Sequence, residues 1–294
     1  MKNLKLYTAI AYGLIWAVGL IIILTGIDYP SNVGNILASA CMLFPLIATL
    51  VCQAVAKEPL FRNIGIHWHI NWWWVVGWLL MPVISLLTVL LTWGFEGPAF
   101  TAHSTNILMM RTALNEQLSI NIPLWAILAF VTVSGLFAGI SINALFAFGE
   151  EAGWRGYLLR QFHGQPFIST AVFIGIIWGL WHAPLILVGH NYPEHPVLGV
   201  FCMMLLCIPL TIIIQYVRIK SGSVIVAAIM HGTYNAFAGV SLLFLDKPND
   251  LLDGPAGLAG FSILVLVAFA LFLYDRYGSK ERLFTRPLDL EALK

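Results

Sequence analysis

Apolar stretches long enough to cross a bilayer recur along the whole chain, at 7–26, 35–55, 72–93, 123–148, 167–188, 197–217, 224–245 and 258–274. A helix needs roughly 20 such residues to span about 30 Å of hydrocarbon. Inside hydrocarbon every backbone N–H and C=O must be bonded within the protein, and for runs of this length the helix does that. Only 10% of the 294 residues are charged, whereas a water-soluble domain carries roughly 25%. Lipid is therefore the solvent for most of the exterior. The fold class expected is all-α, a polytopic membrane bundle of about eight transmembrane helices.

Met1, Lys2 and Lys5 ahead of the first run imitate a signal peptide. The run is about 20 residues, longer than the ~7–15 of a cleaved leader, and is expected to stay as the first span. Of the 15 Lys and Arg, only Arg111 and Lys247 fall in segments that eight spans would place outside. That partition puts both termini in the cytoplasm by the positive-inside rule. A single membrane domain over 1–294 is expected, with a cytoplasmic tail at 275–294. The longest external loop, 94–121, carries Ile107, Met110, Leu114 and Leu118 at helical spacing, so it is either a short amphipathic helix on the outer interface or an ordinary loop. Gly135/Gly139 and Gly175/Gly179 are spaced for close helix packing. Cys41, Cys52, Cys202 and Cys207 all lie in apolar runs and read as small buried residues. No basic, aromatic-interleaved stripe points to nucleic acid.

Ionisable groups in membrane helices are costly and mark function by default. Three places concentrate them, in a core of about 122–245. Glu150-Glu151 precedes Arg155, so that Glu151 and Arg155 pair at i,i+4 and Glu150 faces elsewhere. His182 lies well inside the fifth span. His231 and Asn235 share one face of the seventh. Taken singly, each fits a salt-bridged helix end, a core histidine or a hydrogen-bonded knot. Converged in one pocket, they would supply a base for water and donors for an oxyanion, the needs of peptide hydrolysis. His67 and His69 flank Trp68 and fit either a metal or interfacial packing; His103, His163, His190 and His195 carry no signal.

At these residues the chain resembles the CPBP family, also called Abi or type II CAAX prenyl endopeptidases. The family pattern is E-E-x-x-x-R, then an aromatic with x-x-x-H, then H-x-x-x-N. Here it is Glu150-Glu151 with Arg155, Trp178 with His182, and His231 with Asn235, Trp178 standing where Phe is usual. The resemblance implies a multi-pass intramembrane endopeptidase of the cell membrane. Glu150 with His182 would activate water, His231 and Asn235 would stabilise the oxyanion, and Arg155 would hold Glu151. Its substrates would be peptides or small membrane proteins, lipid-modified or not. A short chain without organelle signals reads as bacterial. No cofactor is favoured; Zn²⁺ is admissible on Glu150, His182 and His231, although H-E-x-x-H is absent. The competing class is a non-proteolytic membrane protein on the same fold, namely a transporter, immunity or scaffold factor. Rhomboid, aspartyl and site-2 protease motifs are missing.

One geometric condition follows. His182 lies 15 residues past Phe167, about 22 Å along its helix, while Glu150 ends the fourth run. The motifs meet only if the fourth helix continues to about Arg160 inside the protein, or the fifth span starts later; a water-filled cavity open to the cytoplasm is expected with them.

Overall fold

The computed structural model describes residues 3–29, 31–96, 104–246 and 248–289. Lys2, His103, Lys247 and Lys294 lie outside them. The described residues form helices α1 (Leu4–Thr25), α2 (Asn32–Cys41), α3 (Phe44–Val55), α4 (Trp72–Glu96), α5 (Thr105–Leu118), α6 (Leu124–Ile140), α7 (Ile142–Glu151), α8 (Phe167–Trp181), α9 (Ala183–Ile186), α10 (Pro196–Ser221), α11 (Val224–Leu242) and α12 (Leu258–Tyr277). A π-helical segment, Ala152–Leu158, extends α7. No strand occurs among the described residues.

Among the described residues seven helical stretches are long and apolar enough to cross a membrane, and α6 with α7 and its extension makes an eighth if the pair, bent by 40°, is one span. Large apolar side chains face outward along them, among them Leu24, Phe137 and Phe269, as lipid contact requires. The fourth run is thus not the straight helix over 123–148. It breaks at Ser141, and the second half runs on as helix to Arg160. The fifth span breaks at His182, where α9 restarts with Pro184 near its N-terminus. Pro209, by contrast, lies inside an unbroken α10 and does not interrupt its span. No water competes for helix bonds there, so a single missing N–H does not end the helix.

α1 is built into the bundle. Its buried residues Tyr7, Ala11, Ile15, Gly19 and Ile22 recur at helical spacing, the Trp181 Nε1–H donates to its Ala11 carbonyl (3.0 Å), and the Tyr12 hydroxyl donates to Ile177 (2.5 Å). The loop around 105–118 is a helix, α5, with Ile107 buried, Met110 and Leu114 half-buried and Leu118 exposed. All four cysteines are free; Cys41, Cys52 and Cys207 are buried and Cys202 is half-buried.

Small residues set how closely the motif-bearing helices approach. A Cβ at Gly179 would lie 2.4 Å from Met204 Cα, so α8 touches the backbone of α10; one at Gly232 would lie 2.4 Å from Ala144 N, so α11 touches α7. Gly135 and Gly139 face Phe237 and Thr233 on α11. A Cβ at Gly175 would lie 2.8 Å from Ile208 Cα on α10, so all four glycines that the pattern marked are used inside the chain. Gly179→Ala should cost about 1–3 kcal/mol, the usual price of overpacking, and should show as a lowered melting temperature in detergent. An unchanged melt would mean that α8 and α10 can separate without loss.

Candidate active site

Glu150 and Glu151 are the last residues of α7, and both side chains are buried, at 2% and 0% exposure. The turn after them widens into a π-helix, a rare geometry that is frequent at functional sites. Two glycines let the widened turn fit. Gly153 lies against Pro45 and the Tyr7 hydroxyl, and Gly156 lies under the Ile64 carbonyl.

The two carboxylates have been given different surroundings. Glu151 Oε1 accepts from Arg155 Nη1 (2.9 Å) and from His231 Nδ1 (2.9 Å). Arg155 Nη2 donates in turn to Thr211 Oγ1 on α10 (2.9 Å), and the guanidinium lies 4.2 Å from the Trp178 ring centroid. Glu151 and Arg155 are fully shielded from solvent. A buried pair repays desolvation only with such added bonds, and this one has a histidine, a threonine and an aromatic face around it. Glu150 takes a single protein bond, from Trp178 Nε1 to Oε2 at 2.6 Å. Its Oε1 has no hydrogen-bond partner among the described residues.

The histidines differ in the same way. His182 Nδ1 donates to the Trp178 carbonyl one turn back (2.8 Å). A carbonyl only accepts, so the proton sits on Nδ1 and Nε2 presents a lone pair. The ring stands edge-on to Trp181 at 5.0 Å and is half-exposed. His231 is oriented from the opposite side, its Nδ1 held by the carboxylate of Glu151 and its ring 5.2 Å from Trp178 in T-shaped contact. Trp178 therefore contacts Glu150, Arg155, His182 and His231 together.

The structure links Glu150, Glu151, Arg155, Trp178 and His231 by direct contact across α7, α8 and α11. No hydrogen bond joins His182 to Glu150; Trp178 connects them. Asn235 lies one turn past His231, about 6 Å along α11, exposed and without a partner among the described residues. Two participants escaped the sequence. Thr211 gave no signal, since a lone threonine in an apolar helix usually bonds its own backbone. Trp178 was visible as the aromatic of a motif, but its N–H donor to Glu150 was not.

The ligand atoms of Glu150, His182 and His231 do not all lie within 4.8 Å of one another. With both Nδ1 atoms and Glu150 Oε2 bonded within the protein, His182 Nε2, His231 Nε2 and Glu150 Oε1 are the atoms that a metal would use. Among the described residues the one group of three whose ligand atoms all lie within 4.8 Å of one another is Glu194, His195 and Asp250. That group, which the sequence did not signal, reads as a loop clamp. Asp250 Oδ2 accepts from the Glu194 and His195 backbones, and His195 Nδ1 lies 2.7 Å from Asp250 Oδ1. His67 and His69 form no such group either; their rings lie 6.1 Å apart.

The comparisons with known proteins converge on the same helices. A family model described as type II CAAX prenyl endopeptidase Rce1-like matches residues 126–237, which contain all three motifs. A CAAX prenyl protease 2 of Methanococcus maripaludis is 26% identical over 214 residues, covering 71% of this chain and 68% of that protein. With the motif residues in order along the fourth, fifth and seventh spans of a helical bundle, the chain is similar over these helices to the type II CAAX prenyl endopeptidases.

Proposed function

We propose that this protein is an intramembrane endopeptidase of the CAAX type, in which Glu150 primes water for attack on a peptide bond. The observation that carries this is the division of labour between adjacent carboxylates. Glu151 Oε1 is held by Arg155 and His231, its Oε2 being buried without a partner among the described residues, while Glu150 has no cation in contact and takes only the Trp178 bond, on Oε2. Glu150 takes a proton from water, and His182 Nε2, an acceptor by its tautomer, orients that water. Attack converts the substrate carbonyl to an oxyanion. The His231 ring, with Glu151 as its counter-charge, and the Asn235 amide donate to it. Glu150 then passes the proton to the leaving amine, which restores the carboxylate.

The family's proteases and the relative named CAAX prenyl protease 2 suggest a substrate that is a prenylated peptide or small membrane protein. The positive residues support one membrane domain with both ends on the cytoplasmic side. The test is cleavage-site mapping by mass spectrometry on reconstituted protein given prenylated peptides. Asn235→Ala should lose about 10²–10³ in turnover, as for other oxyanion donors, with no change in melting temperature because the side chain bonds nothing at rest. Near-normal turnover by that variant would remove Asn235 from the mechanism. Prolonged chelation should leave turnover unchanged, and stoichiometric metal lost together with activity would overturn the metal-free route.

A further inference from the structure

Tyr7 carries a buried hydroxyl that bonds to nothing among the described residues. It lies on α1 with its side chain at 0% exposure, and its oxygen has no hydrogen-bond partner. The ring is well packed, stacked on Tyr157 at 5.5 Å and edge-on to Trp154 at 5.6 Å. A phenylalanine would fill that space equally well. A polar group left unbonded in a core costs stability, so the hydroxyl is expected to serve something besides packing.

Its place in the fold names the neighbour. A Cβ at Gly153 would lie 2.5 Å from the Tyr7 oxygen, so the hydroxyl rests on the widened turn just past Glu150. Residues three or four apart share a helix face, and Gly153 is three from Glu150 but two from Glu151. Both acids act on the hydroxyl electrostatically, Glu150 the more strongly. Cys52 lies near as well, but its thiol is directed at the Asn3 carbonyl (3.9 Å). Side chains lean toward the N-terminus of their helix, which carries the Glu150 carboxyl back from Gly153 and opens a gap between acid and phenol. Trp154 Nε1 and Arg155 Nε, on the same turn, are also buried without partners, so the surroundings are polar enough to hold a water. α1 is fixed where this requires it, by the bonds from Trp181 to Ala11 and from Tyr12 to Ile177. It lies outside residues 126–237, where the family model matches, and carries none of the three motifs.

We propose that Tyr7 is a positioning residue for Glu150: its hydroxyl donates to a bridging water, and that water donates to the Glu150 carboxylate. The base is thereby held at a fixed angle to the second water, the one it activates. The first span becomes a working part of the site as well as its scaffold. For its kinetic readout the inference rests on the endopeptidase assignment above; the link between phenol and carboxylate has a readout of its own.

The full chain is reconstituted in phosphatidylcholine vesicles as the parent and as Tyr7→Phe, Tyr12→Phe and Glu150→Gln. Cleavage of a prenylated peptide gives kcat and KM, and infrared difference spectra of protein carrying isotope-labelled glutamate give the carboxylate bands. Tyr7→Phe should lose about tenfold in kcat, the scale of one hydrogen bond, with KM unchanged. Its melting temperature should hold, because the ring contacts stay. The band that Glu150→Gln removes should be shifted in Tyr7→Phe. Tyr12→Phe is the structural control. It breaks the bond to Ile177 on the same helix, so it should lower the melting temperature and leave the band in place. A band shifted by Tyr7→Phe in a protein whose parent cleaves nothing would sink the endopeptidase assignment and leave the link to Glu150 standing. Full kcat in Tyr7→Phe, a band that stays in place or moves equally in Tyr12→Phe, or a shifted band that Glu150→Gln does not remove would each overturn the proposal.

Discussion

Glu150→Gln should lower turnover by about 10²–10⁴, the range for removing a positioned general base, and leave the fold intact. The substituted amide keeps an oxygen that can accept from Trp178 Nε1, so the bond at Oε2 has a successor. It also removes one of two adjacent buried carboxylates, which repel each other, so the melting temperature should hold or rise. Loss of catalysis without loss of stability separates chemistry from architecture. The measurement is a pair, peptide cleavage by mass spectrometry and thermal unfolding in detergent. A variant that still cleaves at more than about a tenth of the parent rate, well short of the 10² floor, would take Glu150 out of the role of base. If a cellular phenotype survives this substitution while cleavage is gone, the scaffold or immunity alternative gains the ground.

Arg155→Met should act in the opposite order, on the fold first. It strips the guanidinium from Glu151 and the donor from Thr211, and leaves a carboxylate at 0% exposure with only the His231 ring bonded to it. Removing one partner of a buried pair costs about 3–5 kcal/mol, chiefly for the charge left behind. Thermal unfolding should report that loss. The control is Glu151→Gln in the same molecule, which removes the stranded charge and should recover much of the stability. Activity should not return with it, because His231 would still lack its carboxylate. A single variant as stable as the parent would show that water, rather than Arg155, carries the charge of Glu151.

Much of this architecture was legible because lipid permits so few answers. A run such as 197–217 must be a helix, and the helix is there over Pro196–Ser221. The motif residues were legible for the complementary reason, since a charge in hydrocarbon is conspicuous. What resisted was whatever hydropathy does not encode. The break at Ser141 lies inside an unbroken apolar run, and bending it costs nothing that composition records. His182 and Asn235 lie within the expected spans, His182 at a break and Asn235 on α11, yet their distance from Glu150 depends on helix rotation. The bond from Trp178 to Glu150 looked, in sequence, like any aromatic packed in a bundle. Arg218 was counted with the charges of a cytoplasmic loop, and only its burial under Gly65 sets it apart.

The widened turn at Ala152–Leu158 has a consequence for how chains of this kind vary. Losing or gaining one residue between Glu151 and Arg155 would swing everything downstream by about 100° around the helix, carrying the guanidinium out of reach of its acid. Point changes there can be absorbed by a neighbour, but a change of length cannot. Relatives of this protein should accordingly align across this stretch without gaps, however far their sequences have drifted on either side.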